Sequence, residues 1–363
     1  MNKVFNGSKV LVTGHTGFKG SWLSLWLAQL GADVHGVSLD IPTSPSNFET
    51  SFLSDYINDH RLNICDGSSL NSLVKDIKPD FFFHLAAQPL VRLSYDEPAL
   101  TWQTNAIGTV NALNSLRDLE NPCVAIFITS DKCYDNVEWV WGYRETDALG
   151  GPDPYSASKG AAELAIKSFV KSYFKRDGII RVGVGRAGNV IGGGDWAADR
   201  IVPDCMRAWG NSEVLQLRNP RSTRPWQHVL EPLSGYLALA SSLWSGSQLH
   251  GEAFNFGPSA QQNYSVADLI SEMAKSWDRV RWVDASEGRA GPYESGLLKL
   301  NCDKALHHLN WHAIWDFEET IKETVGWYKN FYQNPILSTY QFTLQQILAY
   351  SACAKKQGMK WDL

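Results

Sequence analysis

Ile126-Phe127-Ile128-Thr129-Ser130-Asp131-Lys132-Cys133-Tyr134 changes character in its middle. Its first part is apolar, β-branched and aromatic, the composition of a strand covered on both faces of a parallel sheet. It then ends abruptly in a hydroxyl, an acid and a base. In an open α/β sheet ligands bind beyond the carboxyl ends of the strands, so these polar side chains fall where a ligand sits. Downstream, Tyr155-Ser156-Ala157-Ser158-Lys159 opens a helix after the turn-forming Gly150-Gly151-Pro152-Asp153-Pro154. Tyr155 and Lys159 lie one helical turn apart and share a face.

Upstream, the apolar Lys9-Val10-Leu11-Val12-Thr13 runs directly into Gly14-His15-Thr16-Gly17-Phe18-Lys19-Gly20, and an amphipathic helix is expected over 18–30. Glycines let backbone approach a diphosphate, whose charge a helix N-terminus favours. A tight turn alone would explain the glycines, but the strand before and helix after favour the nucleotide reading. A second strand, 33–39, ends in Asp40, the position of a carboxylate that holds the adenosine ribose. Such an acid repels a 2′-phosphate, which favours NAD over NADP. Asp66, after a third strand, either touches adenine or caps the helix that follows. A fourth strand, Phe81-Phe82-Phe83-His84, leads into Leu85-Ala86-Ala87-Gln88, where small residues admit a cofactor; His84 reads as a packed histidine rather than a catalyst.

A strand-end hydroxyl facing a Tyr-x-x-x-Lys helix, with a Gly-x-x-Gly-x-x-Gly loop, resembles the extended short-chain dehydrogenases/reductases, in particular their nucleotide-sugar branch. The resemblance spans nearly the whole chain. It implies an α/β fold: a Rossmann-type doubly wound parallel sheet with a smaller mixed α/β C-terminal substrate domain. The expected division is 1–190 for NAD, with a returning segment at about 226–256, and 191–225 with 257–363 for a nucleotide sugar. By resemblance Gly14, Thr16, Gly17, Phe18, Gly20, Asp40, Asp66, Leu85, Ala86, Ala87, Tyr155 and Lys159 hold NAD. Gln88, Asn189, Arg200, Arg224 and Glu294 contact the substrate, and Asn105, in a helix over 98–119, braces the site from below.

Within that branch, 4-epimerases need only hydroxyl, tyrosine and lysine, whereas 4,6-dehydratases also remove a C5 proton and protonate a departing C6 hydroxyl. Thymidine- and guanosine-linked dehydratases use Asp-Glu for this; here the pair is Asp131-Lys132. That departure, with Arg186-Ala187-Gly188-Asn189-Val190-Ile191-Gly192-Gly193-Gly194-Asp195-Trp196, resembles the dehydratases of cytidine-diphosphate sugars. The catalytic set implied is Ser130, Asp131, Lys132, Tyr155 and Lys159. Tyr155 is the C4 base, its pKa lowered by Lys159 and by the charge of the nicotinamide. Asp131 is the C6 acid. Lys132 is the C5 base, or it stays charged while Asp131 does both proton transfers. The alternatives are a dehydratase or 4-epimerase of another nucleoside-diphosphate sugar, or a catalytically silent NAD-sensing regulator, which would not be expected to keep the tyrosine, lysine and extra acid.

Composition excludes other classes. A net charge of −5 over 363 residues argues against general nucleic-acid or membrane-surface binding. Neither a signal-peptide core nor a membrane-length apolar run is visible. The six cysteines have no zinc-like spacing, so no metal is expected, and the cytoplasm is the simplest compartment. Between Lys175 and Lys275 every basic side chain is arginine (176, 181, 186, 200, 207, 218, 221, 224), suited to phosphate oxygens or to a solvated surface. The resemblance implies a homodimer or homotetramer in which helices at 105–116 and 156–173 pair across a twofold axis. Fifteen tryptophans should mostly pack in the core.

Overall fold

The computed structural model describes residues 2–217, 219–278, 280–285, 297–333 and 336–359. Seven strands form one parallel sheet: β1 Lys9–Thr13, β2 Asp33–Ser38, β3 Asn58–Arg61, β4 Phe81–His84, β5 Cys123–Ile128, β6 Ile180–Arg186 and β7 Ala253–Asn255. Their spatial order is 7-6-5-4-1-2-3, a doubly wound arrangement that reverses direction between β1 and β4. The main helices are α1 Phe18–Gln29, α2 Gly67–Ile77, α3 Gly108–Leu116, α4 Pro154–Ser172, α5 Leu230–Ser245, α6 Phe317–Tyr332 and α7 Thr339–Lys356.

Alternate residues of each strand enter different cores, as the period of two requires. Val10, Val12, Phe81, Phe83, Val124 and Ile126 pack under α1 and α5 in a core that runs on without a break through Trp209, Trp277 and Trp327. Leu11, Val37, Phe82, Ala125, Phe127 and Val182 face the other way, against α2, α3 and α4. Coverage on both faces is why β5 reads as an unbroken apolar run. α5 and β7 return to the sheet, with β7 pairing against β6.

Two helices depart from their sequence patterns, α1 and the 98–119 stretch. α1 is not amphipathic: Gly20 to Leu27 are all buried, because α5 and α7 cover the side that would otherwise meet water. α4 buries Tyr155, Ser158, Lys159, Ala162, Glu163 and Ile166 against the rest of the fold and leaves Leu164 exposed on its other side. In α7 the buried residues include Thr343, Gln346, Ile347, Tyr350 and Ala354, while Leu348 is exposed. The helix expected over 98–119 is three pieces: Pro98–Trp102, a π-helical turn at Gln103–Ile107, and α3.

Short two-stranded pairings beyond β6 roof the carboxyl edge of the sheet: Val190–Ile191 with Gln227–His228, Thr223–Arg224 with Tyr264–Ser265, and Leu215–Leu217 with Trp282–Asp284. No helix of the described residues is long and apolar enough to cross a membrane.

Candidate active site

A cleft of about 1580 Å³ opens between the carboxyl edge of the sheet and its roof. That exceeds the usual 300–1,000 Å³ of a single small-ligand site and leaves room for two ligands. It starts at the reversal of strand order, where Gly14 leaves β1 and Ala86 leaves β4. Gly14 has φ +79, and a Cβ there would stand 2.7 Å from Ala86 N, so only glycine fits. Thr16, Gly17, Phe18, Lys19, Gly20, Asp40, Leu85, Ala86 and Ala87 line this end. Asp40 is solvent-exposed just past β2, and its carbonyl accepts the Thr16 hydroxyl at 2.7 Å.

At the centre stand Ser130, Asp131, Lys132, Tyr155 and Lys159, all on the cleft wall. Ser130, two residues past β5, is extended and caps the short turn Asp131–Cys133. Its hydroxyl accepts from Lys132 N at 3.2 Å and donates to Asp131 Oδ1 at 2.9 Å. Asn189 Nδ2 donates to the other Asp131 oxygen at 3.4 Å. Gly188 makes this approach possible, since a Cβ there would lie 1.8 Å from Asp131 Oδ2. Asp131 is therefore a buried carboxylate held on both oxygens.

The start of α4 is fixed by Asp153, whose carboxylate accepts from Ser156 N at 2.9 Å and Ser156 Oγ at 2.6 Å, with Pro154 at the first helical position. This aims Tyr155 and Lys159 into the cleft. One turn further, Glu163 is locked to β6: Arg186 Nε and Nη2 donate to its two oxygens at 2.8 Å each. Thr129 Oγ1 adds a bond at 2.5 Å. Arg186 Nη1 continues to Tyr134 Oη at 2.7 Å, which donates to Asn255 Oδ1 at 2.7 Å. Nothing in the sequence except its four-residue spacing from Lys159 signals Glu163, and this buried pair was not anticipated.

The expected lowering of the Tyr155 pKa is not found in the protein by itself. Burial pushes the phenol up to about 12, and the Asp131 charge adds to this against the opposing Ser130 hydroxyl and Arg200. Burial also pushes the Lys159 ammonium down to about 8. Desolvation opposes both charged forms and is the largest influence on each.

Several expectations are corrected. Asp66 does not line the cleft; its carboxylate caps α2, accepting from Ser69 N, Ser69 Oγ and Ser68 Oγ at 3.1, 2.6 and 2.7 Å. Those bonds hold it down at about 2, and Asn63, Ile64 and Cys65 form the cleft wall instead. Gln88 lies at the cleft, but its side chain is engaged internally. Nε2 donates to Thr101 Oγ1 at 2.8 Å and Leu90 O at 3.0 Å, and Oε1 accepts from Leu90 N at 2.5 Å. Of the arginines, 176, 181, 186 and 207 bind carbonyls or carboxylates of the fold. Arg200 and Arg224 do line the cleft; Arg200 Nη1 pairs with Asp195 Oδ2 at 2.8 Å, and Arg224 Nη1 donates to Thr223 O. Glu294 and Arg218 lie outside the described residues.

Asn105 braces the site as expected. Its amide donates to Gln88 O at 3.1 Å and Ser158 Oγ at 2.9 Å, and its oxygen accepts from Gln88 N at 2.8 Å. His84 is a packed histidine between Thr13 and Thr109, pushed down to about 3 by burial. Trp196 and Trp226 are the tryptophans on the cleft wall. No cluster of metal-binding side chains occurs among the described residues.

Residues 11–324 match the GDP-mannose 4,6 dehydratase family. The chain is 48% identical over 330 residues to the CDP-glucose 4,6-dehydratase of Salmonella typhimurium, covering 90% of this chain and 91% of that protein. Among solved structures it resembles a Brucella ovis UDP-glucose 4-epimerase in complex with NAD (TM-score 0.75, 20% identity, 89% of this chain and 98% of that one). It likewise resembles a Bacillus anthracis dTDP-glucose 4,6-dehydratase in complex with NAD (TM-score 0.72, 20% identity, 89% and 97%).

Proposed function

Because the chain belongs to the GDP-mannose 4,6-dehydratase family, we propose that it is a lyase that removes water from CDP-D-glucose to give CDP-4-keto-6-deoxy-D-glucose. The observation that carries this reading is the buried, doubly hydrogen-bonded Asp131, an acid that epimerisation at C4 does not need. The 48% identity to a CDP-glucose 4,6-dehydratase supports the choice of sugar.

NAD fits the residues present: a glycine loop that tolerates no Cβ at Gly14, small residues at Ala86 and Ala87, and an exposed Asp40 carboxylate on the cleft. Gly14, Thr16, Gly17, Phe18, Gly20, Leu85, Ala86 and Ala87 would hold its diphosphate and nicotinamide half, Asp40 its adenosine ribose, and Tyr155 with Lys159 its other ribose. When bound, NAD supplies the hydride acceptor and donor, so the sugar undergoes no net oxidation. Equal turnover with NADP would refute the role of Asp40.

In this reading Ser130 orients the C4 hydroxyl and Tyr155 Oη receives its proton. Lys159 keeps positive charge beside the phenol. Asp131, protonated at this step, delivers its proton to the C6 hydroxyl oxygen as water leaves and is left as the carboxylate. Lys132, partly buried on the cleft wall, takes the C5 proton; in Lys132→Met, exchange of that hydrogen with solvent deuterium should slow, and unchanged exchange would give the role to Asp131. Asn189, Arg200 and Arg224 serve the sugar nucleotide. Residues 1–190 with 226–256 make the NAD part, and 191–225 with 257–363 the sugar part.

The exposed Ile107, Leu164 and Tyr173 support a homodimer in which the helices at 105–116 and 156–173 pair with their symmetry mates, which a monomer by light scattering at micromolar concentration would refute. The six cysteines are free thiols, in keeping with work in the cytoplasm. The direct test is to incubate the protein with CDP-, dTDP-, GDP- and UDP-sugars. CDP-glucose should yield a 4-ketone absorbing in strong alkali; an epimer, or a ketone from another nucleotide only, overturns the reading.

A further inference from the structure

Lys19 is the one charged residue of the glycine loop Gly14 to Gly20. It is partly buried, lines the cleft, and its side chain makes no hydrogen bond or ion pair with any described residue. The charges that act on it are Lys159, Arg200 and Asp131, and burial with the two cations pushes its ammonium down to about 8. Around it the positive charge is not balanced. Arg200 is answered by Asp195, and the Asp131 carboxylate is already held by Ser130 and Asn189. Lys159 is itself buried and, like Lys19, has no carboxylate within ion-pair distance among the described residues.

A buried and a half-buried ammonium with no carboxylate at ion-pair distance, and only the more distant carboxylates of Glu163 and Asp131 acting on them, are costly unless an anion joins them. Flexible ammonium groups at a glycine loop suit phosphate oxygens. Both ligands of the proposed reaction carry a diphosphate, so the cleft offers one anion chemistry from two sources. Lys19 belongs to the loop assigned above to the cofactor, and the nearby charge that acts on it most is Lys159, assigned to the same ligand. We propose that Lys19 is a binding residue that ion-pairs with the diphosphate of the dinucleotide, an addition to the loop's backbone N–H groups. This rests on the NAD reading above.

The test titrates the dialysed protein by calorimetry with two probes: ADP-ribose, which carries the dinucleotide's diphosphate without nicotinamide, and CDP, which carries that of the sugar nucleotide. Lys19→Met should weaken ADP-ribose by about 10- to 150-fold, the range for a charge-assisted bond, and leave CDP within about twofold. Lys19→Arg should restore most of the loss. Because a bound dianion raises the pKa of an adjacent ammonium, the native protein should take up more protons on binding ADP-ribose at pH 8.5 than Lys19→Met does. A packing role alone would not alter that proton count. Weakening confined to CDP transfers the pairing to the sugar's diphosphate and overturns the dinucleotide assignment. Unchanged affinity for both probes, or an arginine variant as weak as the methionine one, overturns the ion pair altogether. A failure of CDP-glucose turnover in native protein would instead count against the dehydratase reading and leave the ADP-ribose result standing.

Discussion

Glu163→Gln should be the most damaging single change that leaves every proposed ligand contact in place. The carboxylate is 4% exposed and receives both Arg186 nitrogens at 2.8 Å. Removing one partner of a buried ion pair leaves the other uncompensated, which costs about 3–5 kcal/mol. Unfolding entropy near 2.1 cal/mol/K per residue, over 363 residues, amounts to roughly 0.8 kcal/mol/K, so Tm should fall by about 4–7 °C. The loss should be specific to the uncompensated charge. Glu163→Met combined with Arg186→Met, which removes both charges, should recover much of it. The effect should also reach the catalytic helix. Glu163 is among the groups that raise the Lys159 pKa against burial; without its charge that pKa falls. With protonated Lys159 as the working form, the alkaline limb of the kcat profile should move to lower pH than in the native protein. Calorimetric melting and a pH-rate profile on the two variants read both effects. A Tm within 1 °C of the native value, or an alkaline limb that does not move, would refute the reasoning.

Two further outcomes follow from buried carboxylates. Asp131→Asn keeps Ser130, Tyr155 and Lys159 but removes the acid for the C6 hydroxyl. Mixed with CDP-glucose it should show persistent absorbance near 340 nm and little product, and normal turnover would exclude Asp131 as the acid. Glu231, fully buried in α5, accepts Ile314 N, Trp315 N and Tyr350 Oη at 2.9, 2.8 and 2.6 Å, yet burial outweighs these bonds and raises its pKa from 4.5 to about 7. A raised acid binds protons more tightly in the native state. Its contribution is therefore present below pH 4.5 and lost as pH rises to 7, about 3 kcal/mol in all. Urea unfolding at pH 5 to 8 should show a stability difference between native protein and Glu231→Gln that changes with pH; a constant difference would sink the assignment.

The parts legible in sequence are those whose cause is local. Strand β5 and its polar exit, the glycine loop, and Asp153-Pro154 before Tyr155 each follow from neighbours in the chain. Residues whose partner is chosen by the fold were not legible. Asp66 could touch a ligand or cap α2, and only the positions of Ser68 and Ser69 against its carboxylate show that it caps. Gln88 reads as a free amide until Thr101 is brought beside it. The arginine run suggested phosphate, but Arg181 is spent on the carbonyls of Leu243 and Trp244 where α5 ends. α1 looked one-sided because its second covering layer, α7, comes from the far end of the chain.

The π turn at Gln103–Ile107 gives the 98–116 stretch an unusual property. One additional residue per turn advances everything beyond it by roughly 100° about the axis. Upstream, Thr101 bonds to Gln88 and the Pro98–Trp102 piece packs against α4. Downstream, Ala112, Leu113 and Leu116 belong to the core shared with α2. The rod is thus two helices spliced out of phase, with Asn105 sitting on the splice. A regular helix of the same sequence could keep the amide of Asn105 on Gln88 and Ser158, or keep Ala112, Leu113 and Leu116 on α2, but not both at once. The phase slip is what lets one rod serve the catalytic loop at one end and the floor of the sheet at the other.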